Sequence, residues 1–105
     1  MSGTTFLETL EGVIERRLQE SPEGSYTSHL AGQGTLKVAQ KVGEEAVEVV
    51  IAAAAQDRAH VVAEAADLLY HLLLLLRLRE LRLSDVVAEL EARHGARSPQ
   101  SPRDA

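Results

Sequence analysis

Between Thr35 and Leu81 the chain offers one good place to turn, at Gln56-Asp57, and that confines the stretch to two long helices. It holds no proline and a single glycine, Gly43, and is written mostly in Ala, Leu, Val and Glu. Thr35 is placed to cap a helix running to about Gln56, and Asp57 to cap the next, running to about Leu81. So short a connection makes the pair antiparallel. Apolar residues are 45% of the chain but aromatics only 3%, so the core has to come from Leu, Val and Ala, which suits packed helices better than sheets.

The flanks read the same way. Phe6, Leu7, Leu10, Val13, Ile14 and Leu18 recur at helical spacing, and Thr5 with Glu8 makes a capping box for a first helix over about residues 5–20. Ser21-Pro22-Glu23-Gly24-Ser25 breaks it, and Tyr26 to Gly34 follows as an irregular or short helical connection. Ser84 is placed to cap a last helix carrying Val86, Val87 and Leu90, stopped at His94-Gly95. These elements predict an all-α, four-helix bundle-like protomer in one domain over residues 1–97, with two long antiparallel central helices. Residues 98–105 contain Pro99 and Pro102 and no large apolar group, and are expected to be a disordered tail. Leu68, Leu69 and Leu72 to Leu76 surround their helix on every side. A chain this short has too few neighbours to bury them all, so a homodimer is expected.

Charge and composition exclude several classes. Sixteen acidic against eleven basic residues give a net charge of -5, which provides no basic field for a nucleic-acid backbone. With no cysteine there are no disulfides, zinc thiolates or thiol nucleophiles, consistent with a cytoplasmic setting. The apolar run Leu68 to Leu76 is far short of the ~20 residues of a membrane span, and residues 1–11 have no signal-peptide character.

On the second helix Lys37, Lys41, Glu44, Glu45 and Glu48 fall within an arc of ~100°. On the third, His60, Glu64, Asp67 and His71 share a narrower one. Folding the two about Asp57 sets Glu45-x-x-Glu48 and Glu64-x-x-Asp67 at nearly the same height, offset by ~3 Å. If both acidic faces look into one cleft, four carboxylates converge as a hard-oxygen site suited to Mg²⁺ or Mn²⁺. Glutamates on a helix are most often a solvated face, but Glu64 and Asp67 stand in the most apolar segment of the chain, where a merely solubilising charge is out of place. His71 reads either as a partner behind Asp67 or as a satisfied core histidine. A di-iron bundle would need Glu-x-x-His on two helices, and the central pair carries none: His60 precedes Glu64 by four and Asp67 precedes His71 by four. Gly43 shares a side with Ala39, Ala46 and Val50, opposite the acids, and suggests close helix packing. A non-enzymatic helical dimerisation module is the alternative from another class.

Three segments carry a resemblance: Gly24-Ser25-Tyr26-Thr27, Lys41-Val42-Gly43-Glu44-Glu45-Ala46-Val47-Glu48, and Glu64-Ala65-Ala66-Asp67-Leu68-Leu69-Tyr70-His71. Over about Leu10 to His94 the chain resembles the phosphoribosyl-ATP pyrophosphohydrolases of histidine biosynthesis. The acidic pairs are shared with the wider all-α nucleoside triphosphate pyrophosphohydrolases, while Ser-Tyr-Thr and Lys-Val-Gly-Glu-Glu are narrower marks. The resemblance implies Mg²⁺-dependent hydrolysis of phosphoribosyl-ATP to phosphoribosyl-AMP and pyrophosphate, the second step of that pathway. It implies metal ligation by Glu45, Glu48, Glu64 and Asp67, with Glu44 as a further ligand or the base that orients water. Lys41 is then expected at phosphate oxygens, and Lys37, Arg16, Arg17, Ser25, Tyr26 and Thr27 near the substrate. The family also occurs fused to the next enzyme of the pathway, and this chain is expected to act alone. A pyrophosphohydrolase of other nucleotide specificity would keep the acids without the Ser25-Tyr26-Thr27 segment.

Overall fold

A computed structural model describes residues 3–95. The predicted tail, 98–105, and the predicted domain end at 97 lie outside the described residues. All five elements are helices: α1 (Gly3–Glu20), α2 (Tyr26–Ala31), α3 (Thr35–Ala55), α4 (Arg58–Leu78) and α5 (Leu83–Gly95). The connection after the first helix is thus a short helix in its own right. No helix among the described residues is long and apolar enough to cross a membrane.

Helix ends are where sequence and structure part. Asp57 caps α4 as expected: its carboxylate accepts the His60 backbone N–H at 3.0 Å and the His60 ring N–H at 2.8 Å. The His60 side-chain bond holds the Asp57 carboxyl below its ordinary range. Thr35 does not cap α3. It is the first helical residue, and the cap position belongs to Gly34, whose φ of 102° an L side chain rarely adopts. Thr5 lies inside α1, which begins at Gly3. Nor does Ser84 cap the last helix, which begins one residue earlier at Leu83. There the Asp85 carboxylate reaches back to the Arg82 N–H at 2.8 Å, while the Leu83 N–H goes to the buried Glu11 of α1 at 2.6 Å. α4 stops at Leu78, before the predicted Leu81, in a Schellman turn: Leu81 N–H bonds the Leu76 carbonyl, Glu80 N–H bonds that of Arg77, and Glu80 sits at φ 60°.

α3 and α4, 21 residues each, make the most extensive pairing and form the frame of the molecule. α1 and α2 close over one end of it, where Ile14, Leu30, Val38, Leu73 and Leu74 form the core with Leu7, Leu10, Leu18, Tyr70 and Leu83 packed around them. α5 contributes no buried residue. It is tied down by polar contacts, because Glu15 bridges Arg77 and Arg82 at 3.3 Å each beside the Glu11 bond. Away from the core the helical frame is thinly covered: Leu36, Val47, Val50, Val62 and Leu69 are all exposed. Gly43 does not mark a close approach within the protomer, since a Cβ built there meets nothing within 4 Å.

Candidate active site

Residues three or four apart share a helix face, so Glu64 and Asp67 project together from α4 toward Glu45 on α3. Glu45, Glu64 and Asp67 each bring one carboxylate oxygen within 4.8 Å of the others. Burial grades across the trio, with Glu45 buried, Glu64 intermediate and Asp67 exposed. Three like charges this close repel, and Lys41 is set against them. Lys41, one turn before Glu45, sets its ammonium 3.2 Å from the Glu45 carboxylate. The hydrogen bond that Lys41 donates to Glu45 raises the Lys41 pKa, outweighing the opposite push of burial.

The other expected residues take different places. Glu48 is exposed one turn beyond Glu45 and stands outside the trio. Glu44 is exposed and accepts from the Gln40 amide at 2.9 Å. Lys37 is exposed one turn before Lys41, and Arg16 and Arg17 are exposed on α1. His60 is engaged with Asp57 at the start of α4.

The Ser25-Tyr26-Thr27 segment divides its work. Ser25 is buried and caps α2, its hydroxyl accepting the Ser28 N–H at 3.2 Å. Thr27, only 2% exposed, hydrogen-bonds through its hydroxyl to the Tyr70 hydroxyl on α4. Tyr26 alone faces outward, with 48% of its surface exposed. Its hydroxyl bonds His71 Nε2 at 2.8 Å, while His71 Nδ1 lies 2.7 Å from the Asp67 carbonyl oxygen. Both nitrogens of buried His71 are therefore engaged, one by the Asp67 main chain and not by its carboxylate, as in a satisfied core histidine. His71 stands edge-on to Tyr26 and Tyr70, with ring centroids 5.7 and 5.2 Å away. Desolvation raises the Tyr26 pKa, Tyr70, Glu45 and Asp67 push the same way, and Lys41 opposes them. The phenol thus stands within electrostatic reach of the acids.

The Tyr26–His71 and Thr27–Tyr70 links are the part of the site that sequence reasoning did not find. Their signal was the polar pair Tyr70-His71 interrupting a leucine run one turn after Asp67. A separate cleft of about 340 Å³ lies between α1 and α5, lined by Glu8, Glu11, Arg82, Leu83, Ser84 and Val87, and none of the expected site residues borders it.

Comparison with known proteins bears on this geometry. Residues 7–94 match the family described as phosphoribosyl-ATP pyrophosphohydrolase. A phosphoribosyl-ATP pyrophosphatase of Metallosphaera sedula is 54% identical over 90 residues, spanning 86% of this chain and 97% of that protein. One from Pyrobaculum neutrophilum is 58% identical over 87 residues, 83% of this chain and 93% of that protein. A histidine biosynthesis bifunctional protein of Xanthomonas campestris is 53% identical over 89 residues, 85% of this chain but 43% of the longer protein.

Proposed function

The chain belongs to the phosphoribosyl-ATP pyrophosphohydrolase family, and on that premise we propose that it hydrolyses phosphoribosyl-ATP to phosphoribosyl-AMP and pyrophosphate in histidine biosynthesis, with Mg²⁺ as cofactor and Mn²⁺ as a substitute. The observation that carries this reading is the trio of carboxylate oxygens within 4.8 Å. Oxygen-only donors with no thiolate suit a hard divalent cation. Glu45, Glu64 and Asp67 would hold it, with Glu48 as the fourth acidic residue of the set. When bound, such a cation offsets the repulsion between triphosphate and carboxylates and stabilises charge developing at the reacting phosphorus.

The chain's own groups do the rest. Glu44 orients the attacking water and takes its proton as the α–β phosphoanhydride opens, a contribution of ~10²–10⁴-fold for a well-placed base. Lys41 exchanges Glu45 for a phosphate oxygen, and Lys37 extends the same positive edge one turn away. Tyr26 lies over the nucleotide, while Ser25 and Thr27 act on the substrate by fixing the backbone that presents it. The exposed apolar stripe Leu36, Gly43, Val47 and Val50 on α3 supports a second copy as its cover, giving a homodimer. The enzyme works on a small nucleotide in the cytoplasm, and its net charge of -5 offers little to a nucleic-acid backbone. Pyrophosphate release from phosphoribosyl-ATP, with and without Mg²⁺, tests the reading. Turnover that requires the ion supports it, and release of pyrophosphate from ATP but not phosphoribosyl-ATP overturns it.

A further inference from the structure

The polarity of the hydrogen bonds behind the acids determines what the site can offer a nucleotide. The Asp67 carbonyl can only accept, so the His71 nitrogen 2.7 Å away, Nδ1, carries a proton. In the neutral ring Nε2 is then an acceptor, and the Tyr26 hydroxyl, 2.8 Å away, donates to it. A phenol has one proton. With that proton directed at His71, the Tyr26 oxygen has only lone pairs left for anything entering the site. Burial of His71 at 6% exposure and its edge-on packing against two tyrosine rings keep this arrangement from rotating away. Thr27 and Tyr70 fasten the neighbouring residue of the same segment to α4, so the Tyr26 backbone is held as well.

We propose that His71 is a positioning residue that engages the Tyr26 proton and leaves the Tyr26 oxygen facing the nucleotide as an acceptor only. Its partner is then an O–H or N–H of the sugar or base, and not a phosphate. Phosphate oxygens are acceptors and would meet an unfavourable lone pair there. They are left to Lys41 and the cation, so the site separates recognition of the nucleoside from recognition of the pyrophosphate. This inference rests on the hydrolase reading above.

The two products provide the test, because phosphoribosyl-AMP retains the sugar and base donors and pyrophosphate has none. Steady-state kinetics with each product as inhibitor, at fixed Mg²⁺, would compare wild type with Tyr26→Phe, His71→Leu, His71→Gln and the Tyr26→Phe/His71→Leu double variant. Tyr26→Phe and His71→Leu should each raise KM for phosphoribosyl-ATP and the inhibition constant of phosphoribosyl-AMP by about three- to tenfold. The pyrophosphate constant and kcat should stay within about twofold in both. The double variant should be no worse than either single one, and His71→Gln, whose amide oxygen restores an acceptor for Tyr26, should return toward wild type. A dideoxy form of phosphoribosyl-AMP separates the two donor sources. If the Tyr26 effect disappears with it, the donor is an adenosine sugar hydroxyl. If it persists, the donor lies on the base or the second ribose. A parallel rise in the pyrophosphate constant overturns the proposal, as does an unaltered Tyr26→Phe enzyme. Should His71→Leu fail to fold, Tyr26→Phe decides alone. A wild-type protein with no turnover overturns the hydrolase reading, and this inference with it.

Discussion

Asp67 is the exposed member of three carboxylates that share one small volume, so its charge does more against the empty fold than for it. Replacing it by asparagine keeps its size and removes one repelling charge. Asp67→Asn is expected to leave melting without divalent ions unchanged or raise it by roughly 1–3 °C. If Mg²⁺ stabilises wild type as proposed, the same variant should lose that gain and cut pyrophosphate release by about a hundredfold or more. Glu48→Gln should behave alike if Glu48 is a ligand, and its exposure outside the trio makes it the sharper test of the four-carboxylate set. Glu89→Gln is the control, because Glu89 pairs with Arg93 at 3.0 Å on α5, outside the acid trio, and should leave turnover intact. Differential scanning with and without Mg²⁺, beside turnover, reads all three. Glu45 is the one acid for which this logic fails, since removing it also strands Lys41.

The elements differ in how they are held, and so in what disturbs them. α5 has no fully buried residue, only Leu83 resting against the core, and Glu11 takes the Leu83 N–H of its first turn. Glu11→Ala should cost ~1–3 kcal/mol and speed amide exchange across residues 83–95, whereas Glu11→Gln, which still offers an acceptor, should do far less. The Schellman turn after α4 holds Glu80 in the left-handed region that favours glycine. Glu80→Gly should therefore stabilise the protein by ~0.5–1 kcal/mol in chemical denaturation. What the sequence made legible follows the same division. The helix pair, its Asp57 cap and the meeting of Glu45 with Glu64 and Asp67 were legible in local patterning, which a single chain displays, whereas Glu48, expected with them, stands outside the trio. Glu11 as the cap of α5 was not visible, because donor and acceptor lie 72 residues apart and nothing in Glu11-Gly12 announces that partner. Thr35 and Ser84 misled for a related reason. A hydroxyl near a helix start signals a cap, but Gly34 and the Asp85 carboxylate occupied that role first. Tyr26 stood out in the sequence as a candidate, but its tether to His71 did not, since that bond crosses from α2 to α4.

For the molecule as a whole, the decisive fact is how little of the α3–α4 frame the other described residues cover. Beyond the core end, Ala52 is the buried apolar residue, while Val47, Val50 and Val62 face outward. Sedimentation at micromolar concentration is expected to give a species heavier than the 11.4 kDa chain, with a melting temperature that rises with concentration. Charging the stripe with Val47→Glu and Val50→Glu should shift the species toward one chain and abolish that concentration dependence. The acid trio has a further consequence at this scale, because it straddles the seam between the two longest helices. A cation bound there would act as a removable cross-link, held by Glu45 on one helix and by Glu64 and Asp67 on the other. Opening of the hairpin should then be slow when the ion is present and quicken when a chelator takes it away. Amide exchange in the middle of α3 and α4 would thus report occupancy of the site with no substrate in the tube.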